Sequence, residues 1–291
     1  MHKYLRAIGF SEIKSKKELR KLLNDVVTGS DLYNNIHTED STIVEYSRQF
    51  AGPCGITLRG EIEEDNNLVL DFYYPILKGS VISTNEDLSV ERQTEKESFS
   101  AVCEDVRVGV SLIFYMTNGV EYMKRVAKKV FNSRNNQIKL SGLSIEGSIL
   151  FPIKKDAREL MKVKKENNQR KQKIAAAKEG SEEAIESLTL EDLDTYSAIS
   201  KRILKEDVFT LVDTYFMPYG MECDQYSVLA EIEEVNHYDN YITDEKIYVM
   251  TLNCNELKFD VCINSMDLLG EPEVGRRFKG TIWLQGNVEF A

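Results

Sequence analysis

The sequence predicts a β-rich α+β protein in which two antiparallel β modules are separated by a charged helical segment. Residues 1–153 and 207–291 consist largely of short runs that alternate apolar and polar residues between turn signals, which is typical of antiparallel strands. Residues 154–206 instead carry dense charge, with apolar residues at helical spacing in their second half. Apolar residues make up 42% of the chain, enough for a core in each module. We expect each module to be a small barrel or sandwich of the OB-like size class.

The first module, residues 1–153, is expected to hold two helices among short strands. Ser15 and Glu18 form a capping box, and apolar residues then follow helical spacing up to Gly29, which predicts the first helix. Asn118 is predicted to cap the second. Strands are predicted at residues 42–50, 55–63, 68–77, 88–92, 99–104 and 107–116, and a hairpin of strands 138–145 and 148–153 around Glu146-Gly147.

The central segment, residues 154–206, consists of two blocks of opposite charge. Residues 154–178 carry ten basic and three acidic residues, whereas residues 179–207 carry nine acidic and three basic ones. The first block is too polar to need a core, so it reads as a connector. An amphipathic helix that begins at the cap Thr189 is predicted in the second block and should dock on a core. The two blocks could also fold against each other as a hairpin about Gly180.

The second module, residues 207–291, is expected to be almost entirely strand. The predicted strands are residues 208–216, 225–235, 246–253, 257–263 and 277–285. Residues 60–66 and 230–236 share the pattern Glu-Ile-Glu-Glu after an apolar strand. This echo indicates either duplication of a β module or a chance similarity between acidic strand ends.

Composition and motifs argue against several classes of function. The net charge is −11 and is concentrated in residues 208–291, which disfavours a broad nucleic-acid surface there. No signal peptide and no membrane-spanning run is predicted. With only three histidines, a histidine-based triad or a zinc site has little support. We therefore expect no catalytic residue, no cofactor and no metal ion.

The five cysteines include no C-x-x-C pair, which predicts reduced thiols in a cytoplasmic protein. Cys254 and Cys262 could approach each other across a hairpin, but free, buried thiols are the expectation.

The best candidate for a ligand- or partner-binding site is the run from Gly270 to Gly286. Its candidate residues are Arg276, Arg277, Lys279, Trp283 and Gln285. On a regular strand, Trp283 would project beside polar neighbours, where it could stack on a base or receive an anionic ligand or a partner. Alternatively, Trp283 is structural, covered by the helix near residues 190–203 or by the other module, or returned to the core by a bulge at Gly280 or Gly286.

Three hypotheses for the function follow. The leading one is a non-enzymatic cytoplasmic protein that binds a protein partner or self-associates. The alternative is an OB-like module that binds single-stranded nucleic acid or a nucleotide through the face of Trp283. The third, a metal-dependent hydrolase, rests only on the density of carboxylates at Glu61, Glu63 and Asp71.

Three stretches of the chain also carry a family resemblance. Residues 1–11 (Met-His-Lys-Tyr-Leu-Arg-Ala-Ile-Gly-Phe-Ser), residues 224–229 (Asp-Gln-Tyr-Ser-Val-Leu) and the run from Gly270 to Gly286 resemble a bacterial protein family defined only as a domain of unknown function. The resemblance spans nearly the whole chain apart from the charged middle. It implies no particular activity, cofactor or site residue.

Overall fold

The computed structural model describes residues 1–38, 41–63, 67–92, 98–153, 165, 169–170, 172–177, 180–191, 209 and 212–291. Its helices are the 3₁₀ helices Lys3–Ile8 and Ser265–Asp267 and the α-helices α1 (Lys16–Thr28) and α2 (Gly119–Ala127). Residues 172–177 and 182–191 are also helical. The strands are β1 (Leu32–His37), β2 (Thr42–Ala51), β3 (Cys54–Ile62), β4 (Leu68–Leu77), β5 (Leu88–Arg92), β6 (Phe99–Asp105), β7 (Val110–Met116), β8 (Gln137–Leu150), β9 (Tyr215–Pro218), β10 (Gln225–Asp239), β11 (Lys246–Cys254), β12 (Leu257–Asn264), β13 (Leu268–Leu269) and β14 (Arg277–Glu289).

The strands form two sheets, which confirms the β-rich α+β class. The smaller sheet is antiparallel in the order β1-β2-β3-β4, and the main order of the ten-stranded sheet is β13-β8-β12-β11-β10-β14-β7-β6-β5. Strand β9 pairs with β10. Strand β8 pairs with β12 and also with β14, so the pairings β8-β12-β11-β10-β14 lead back to β8.

Strands from both sides of the central segment share the larger sheet. Strand β8 precedes that segment in the chain, yet it pairs with β12 and β14, which follow it. The division into units at residues 1–153, 154–206 and 207–291 stays a prediction, and the strand pairings cross its boundaries. Residues 60–62 of the first echo segment lie on β3 in the smaller sheet, whereas residues 230–236 of the second lie on β10 in the larger sheet.

The predicted hairpin around Glu146 and Gly147 is wrong, because β8 continues without a break through both residues. Gly147 serves close packing rather than a turn. A Cβ atom at this position would lie 2.6 Å from the ring of Phe278 on β14. The glycine that resembled a turn signal therefore marks the close approach of two strands.

The two predicted helices of the N-terminal half form, but only one is capped as expected. The capping box of Ser15 and Glu18 starts α1. Asn118 precedes α2, but its side chain bonds to Val288 of β14: Nδ2 donates to the carbonyl oxygen (2.8 Å) and Oδ1 accepts from the amide (3.1 Å). Asn118 thus attaches the start of α2 to the sheet.

In the central segment, residues 172–177 and 182–191 are helical on either side of Gly180. The ammonium of Lys173 pairs with Glu191 across this turn. A helix start at Thr189 is wrong, because Thr189 lies inside the second helical stretch and its Oγ1 donates to the carbonyl oxygen of Ile185 (2.8 Å). The remainder of the predicted amphipathic helix lies outside the described residues.

Two apolar cores stabilise the fold. The first joins side chains from β8, β12, β11, β10 and β14, and the second joins the 3₁₀ helix Lys3–Ile8, α1 and the smaller sheet to other residues of the larger sheet. Strand β14 contributes to both by alternation: Phe278 and Ile282 enter the first core, and Trp283 enters the second. Among the described helices, none combines the length and apolar character needed to cross a bilayer.

All five cysteines are free thiols, four of them buried and Cys223 exposed. Cys254 and Cys262 lie in different cores. Instead, Cys262 contacts the thiol of Cys54, and burial raises the pKa of Cys262.

Candidate functional site

Trp283 lines a cavity where the N-terminal residues meet the larger sheet. The cavity has a volume of about 520 Å³, a size suited to a small molecule. Its walls come from the N-terminal residues, β7, the loop between β9 and β10, and β14. The lining residues are His2, Lys3, Tyr4, Tyr115, Met221, Glu222, Cys223, Asp224 and Trp283. We call this cavity the Trp283 pocket.

Trp283 is held in the wall of the pocket by a hydrogen bond and by ring packing. Its Nε1 donates to Oδ2 of Asp224 (2.7 Å), and the backbone amide of Leu284 donates to the backbone carbonyl oxygen of Asp224 (2.8 Å). The ring centroids of Tyr115 and Trp283 are 5.3 Å apart. The residue Trp283 is 6% exposed. Trp283 is therefore covered by other parts of the fold and is not an open stacking platform.

The 3₁₀ helix Lys3–Ile8 supplies the facing wall. The ring of Tyr4 stacks on Trp283 with centroids 5.4 Å apart and planes at 20°. The ring of His2 lies 4.8 Å from Trp283. Asn240 fixes the end of this helix, because its Nδ2 donates to the carbonyl oxygen of Ile8 (2.9 Å). These contacts attach the first residues of the chain to the sheet.

Carboxylates give the pocket a negative character. Burial raises the pKa of Asp224. The hydrogen bond from Trp283 lowers this pKa, and the nearby charge of Glu222 raises it further. Glu222 accepts from Nε2 of Gln225 and lies 3.7 Å from the ammonium of Lys3. The charges of Glu222 and Asp224 also contribute, after burial, to a raised pKa of the Tyr4 hydroxyl.

His2 is neutral in this setting at neutral pH. Burial, and then the charge of Lys3, lower the pKa of His2 to about 4. Within the part of the chain that the structure describes, Nδ1 of His2 is buried and has no hydrogen-bond partner. A buried polar atom without a partner is unfavourable, and it is the kind of group that a bound ligand or water satisfies.

Arg277 lies far along β14 from this pocket and binds the chain on both sides of the central segment. Its Nε donates to the carbonyl oxygen of Phe151 (3.1 Å), Nη1 to those of Val212 (3.0 Å) and Asp213 (3.3 Å), and Nη2 to that of Phe209 (2.9 Å). Burial lowers the pKa of Arg277. We call this arrangement the Arg277 clamp.

The other candidate residues are distributed over three places. Arg276 pairs with Glu273 (2.9 Å), and the ammonium of Lys279 lies 4.1 Å from the ring centroid of Phe209. Gln285 is fully buried and joins the two sheets, with Nε2 donating to the carbonyl oxygen of Pro75 (2.8 Å). Of the five candidates, only Trp283 lines the pocket.

Carboxylates do not assemble into a metal centre in the described residues. No group of three or more His, Cys, Asp or Glu side chains there has the arrangement to hold a metal ion. Glu61 lies on β3 and Asp71 on β4, and Glu63 follows β3.

Sequence reasoning missed eight of the nine residues that line the pocket, among them His2, Tyr4, Tyr115 and Asp224. Two signals were present but too weak to act on. Tyr4 lies in the N-terminal run that carries the family resemblance, and Asp224 begins another such run. Neither run shows that its residues meet Trp283, because the contacts span 59 positions for Asp224 and far more for Tyr4.

Comparison with known proteins identifies a family. The model of the family described as "Domain of unknown function, E. rectale Gene description (DUF3881)" matches residues 5–286. Neither the curated proteins nor the solved structures yield a match. Because the family model spans nearly the full sequence, the chain belongs to this family.

Proposed function

We propose that this family member is a non-catalytic binding protein and that the Trp283 pocket is its binding site. The observation that carries the proposal is the pocket itself, a cavity of about 520 Å³ with aromatic walls, two carboxylates and a buried imidazole nitrogen that has no partner among the described residues. Concave sites with apolar walls and a few convergent polar groups are the usual form of ligand sites.

The polar groups of the pocket support binding rather than catalysis. Asp224 accepts from Trp283, and Glu222 accepts from Gln225 and pairs with Lys3. A general base must be placed to take a proton from substrate, and a nucleophile must contact its base. Carboxylates that already position an indole and an amide are better suited to orienting a ligand.

The alternative of an OB-like module that binds single-stranded nucleic acid has weaker support. Nucleic-acid sites combine stacking aromatics with basic side chains. Arg277 instead donates to backbone carbonyls outside the pocket, and Arg276 pairs with Glu273. Salt-sensitive quenching of Trp283 fluorescence by oligonucleotides would favour this alternative over a small-molecule site.

The single tryptophan makes the proposal testable, because ¹⁵N-labelled protein gives one indole N–H signal. That signal reports on the contact between Trp283 and Asp224. We expect at least one compound in a panel of amines, guanidines, carboxylates, sugars and nucleotides to shift it in a saturable manner. Tyr4→Leu should weaken the shift, and Tyr33→Leu, a change on the distant strand β1, should not. A signal that no compound moves would overturn the proposal.

The finer architecture and the location are part of the same proposal. We propose that the ring of pairings β8-β12-β11-β10-β14 closes into a small barrel, supported by the two neighbours of β8. Slow hydrogen exchange on both edges of β8 would agree, and fast exchange along one edge would not. A cytoplasmic location is supported by the free thiols, and secretion in a cell-fractionation experiment would refute it.

A further inference from the structure

The N-terminal residues place an ammonium group of the protein at the edge of the Trp283 pocket. Lys3 Nζ lies 5.0 Å from the centroid of the Tyr4 ring and 3.7 Å from Oε2 of Glu222. A cation over an aromatic face and beside a carboxylate is attracted by both. Half of the Lys3 side chain is exposed. Lys3 therefore shows what chemistry the pocket accepts and is exposed enough to move aside.

From this contact we propose that the Trp283 pocket binds a small organic cation that carries N–H donors, either a primary ammonium or a guanidinium. The inference rests on the proposed function, since it names the ligand class of the same site. Quaternary ammonium, neutral and anionic ligands of the same size should bind more weakly, because they lack the N–H donors of the ammonium, its positive charge, or both.

The two carboxylates that line the pocket favour a cation, and the ammonium groups of Lys3 and Met1, which help to lower the pKa of His2, are the competing positive charges. The carboxylates are those of Glu222 and Asp224, and Lys3 is the single lysine or arginine among the lining residues. Each carboxylate has two oxygens and several acceptor positions, so the contacts to Gln225 and Trp283 leave capacity for a ligand. A positive ligand would also relieve the mutual repulsion that helps to raise the pKa of Asp224.

The walls favour an organic cation over a metal ion. Tyr4, Tyr115 and Trp283 present aromatic surface, which attracts ammonium and guanidinium groups and offers no oxygen ligands apart from the phenols. From the lining residue His2 we infer the need for an N–H donor, in the tautomer whose Nδ1 carries no proton. Its ring is neutral at pH 7 because burial depresses its pKa, and its buried Nδ1 lacks a partner among the described residues. A neutral imidazole nitrogen can accept the hydrogen bond that such a ligand donates.

A matched ligand series tests the inference through the indole N–H signal of Trp283. The probes are n-butylammonium, n-butyltrimethylammonium, n-butanol and butyrate. We expect affinity to fall in that order, with no saturable shift from butyrate. If butanol or butyrate binds best, the cation inference is overturned while the pocket remains a binding site. If no probe and no compound of the wider panel shifts the signal, the proposed function fails as well.

Two variants locate the selectivity. Asp224→Asn keeps an oxygen for Trp283 and removes the charge, and it should weaken n-butylammonium binding roughly tenfold, as expected for a lost charge-assisted hydrogen bond. Glu231→Gln removes one exposed carboxylate outside the pocket and should leave the affinity unchanged. His2→Phe should weaken n-butylammonium and spare n-butyltrimethylammonium. If all three variants changed the affinity for n-butylammonium equally, or if none of them changed it, the assignment would be contradicted.

Discussion

Two positions on strand β14, Arg277 at its start and Trp283 at its centre, differ in how the polar groups around them are satisfied. At Arg277, each nitrogen of the guanidinium donates to a backbone carbonyl oxygen, and the group is 7% exposed. At Trp283, the single indole N–H is satisfied by Asp224, but a cavity remains and Nδ1 of His2 is buried without a partner in the described chain.

This difference indicates which of the two residues, Arg277 or Trp283, has a structural role. Arg277 also lines a cavity, of about 360 Å³. Each nitrogen of its guanidinium already donates to the main chain, however, which leaves little capacity for a ligand, and its removal would leave carbonyl groups without that donor. A cavity with spare acceptors and an unpartnered nitrogen has such capacity. By this criterion Arg277 is structural, and Trp283 belongs to the binding site that we propose.

Arg277→Leu gives the largest effect that we predict. Because four carbonyl oxygens lose a charged donor, the free energy of unfolding should fall by roughly 2–4 kcal/mol. Chemical denaturation measures it. Arg276→Leu is the matched control, since this arginine makes an outer ion pair and should change stability by about 1 kcal/mol or less. Equal losses in the two variants would show that the clamp has no special role.

A pH titration of Glu45→Gln tests a third, intermediate case, a buried carboxyl with incomplete compensation. Burial raises the pKa of Glu45 from 4.5 to about 7, although Arg59 and a hydrogen bond from Tyr74 act against this. The Tyr74 hydroxyl lies 3.1 Å from both Glu45 Oε1 and the carbonyl oxygen of Thr117, and it has one proton to donate. A protonated Glu45 can donate to Tyr74 and free that proton for Thr117.

The sign of the pH effect follows from the raised pKa. The folded state holds the Glu45 proton more tightly than the unfolded state does. The resulting stabilisation of the fold is complete below the unfolded-state pKa of 4.5 and is lost as pH rises through about 7. Relative to wild type, Glu45→Gln should therefore gain on the order of 1–3 kcal/mol between acid and weakly alkaline pH. Urea denaturation at several pH values measures this, with Glu231→Gln as the exposed control. A difference that stays constant with pH would contradict the assignment.

Lys3→Gln should give the smallest change in stability and a gain in binding. Its ion pair with Glu222 is exposed, so the free energy of unfolding should change by less than about 1 kcal/mol. The affinity for n-butylammonium should rise severalfold, because an internal competitor is removed. Lys14→Gln, which breaks an exposed pair with Glu12, serves as the control and should leave the affinity unchanged. Weaker binding in Lys3→Gln would mean that Lys3 helps to hold the ligand.

Local signals predicted local structure well and long-range contacts poorly. The capping box of Ser15 and Glu18 starts α1, because both partners lie within one turn of the chain. Gly147 was wrongly predicted to be a turn residue, because a glycine in a strand that makes room for the ring of Phe278 has the same sequence signature as a glycine in a turn. Asn118 stands at a typical cap position, but its side chain forms hydrogen bonds with the backbone of Val288 on β14 instead. The errors at Gly147 and Asn118 both came from a partner remote in sequence.

The amino-acid sequence by itself determined the β-rich class, the start of α1 and the alternation along β14 that separates Trp283 from Phe278 and Ile282. These follow from spacing, since the period of a strand or helix decides which residues share a face. Only the tertiary structure decided what covers each face. The pocket exists because residues 2–4, 115 and 221–224 meet Trp283, and Arg277 is internal because carbonyls from both sides of the central segment reach it. Periodicity encodes the direction of a side chain, whereas its partners depend on how distant segments pack.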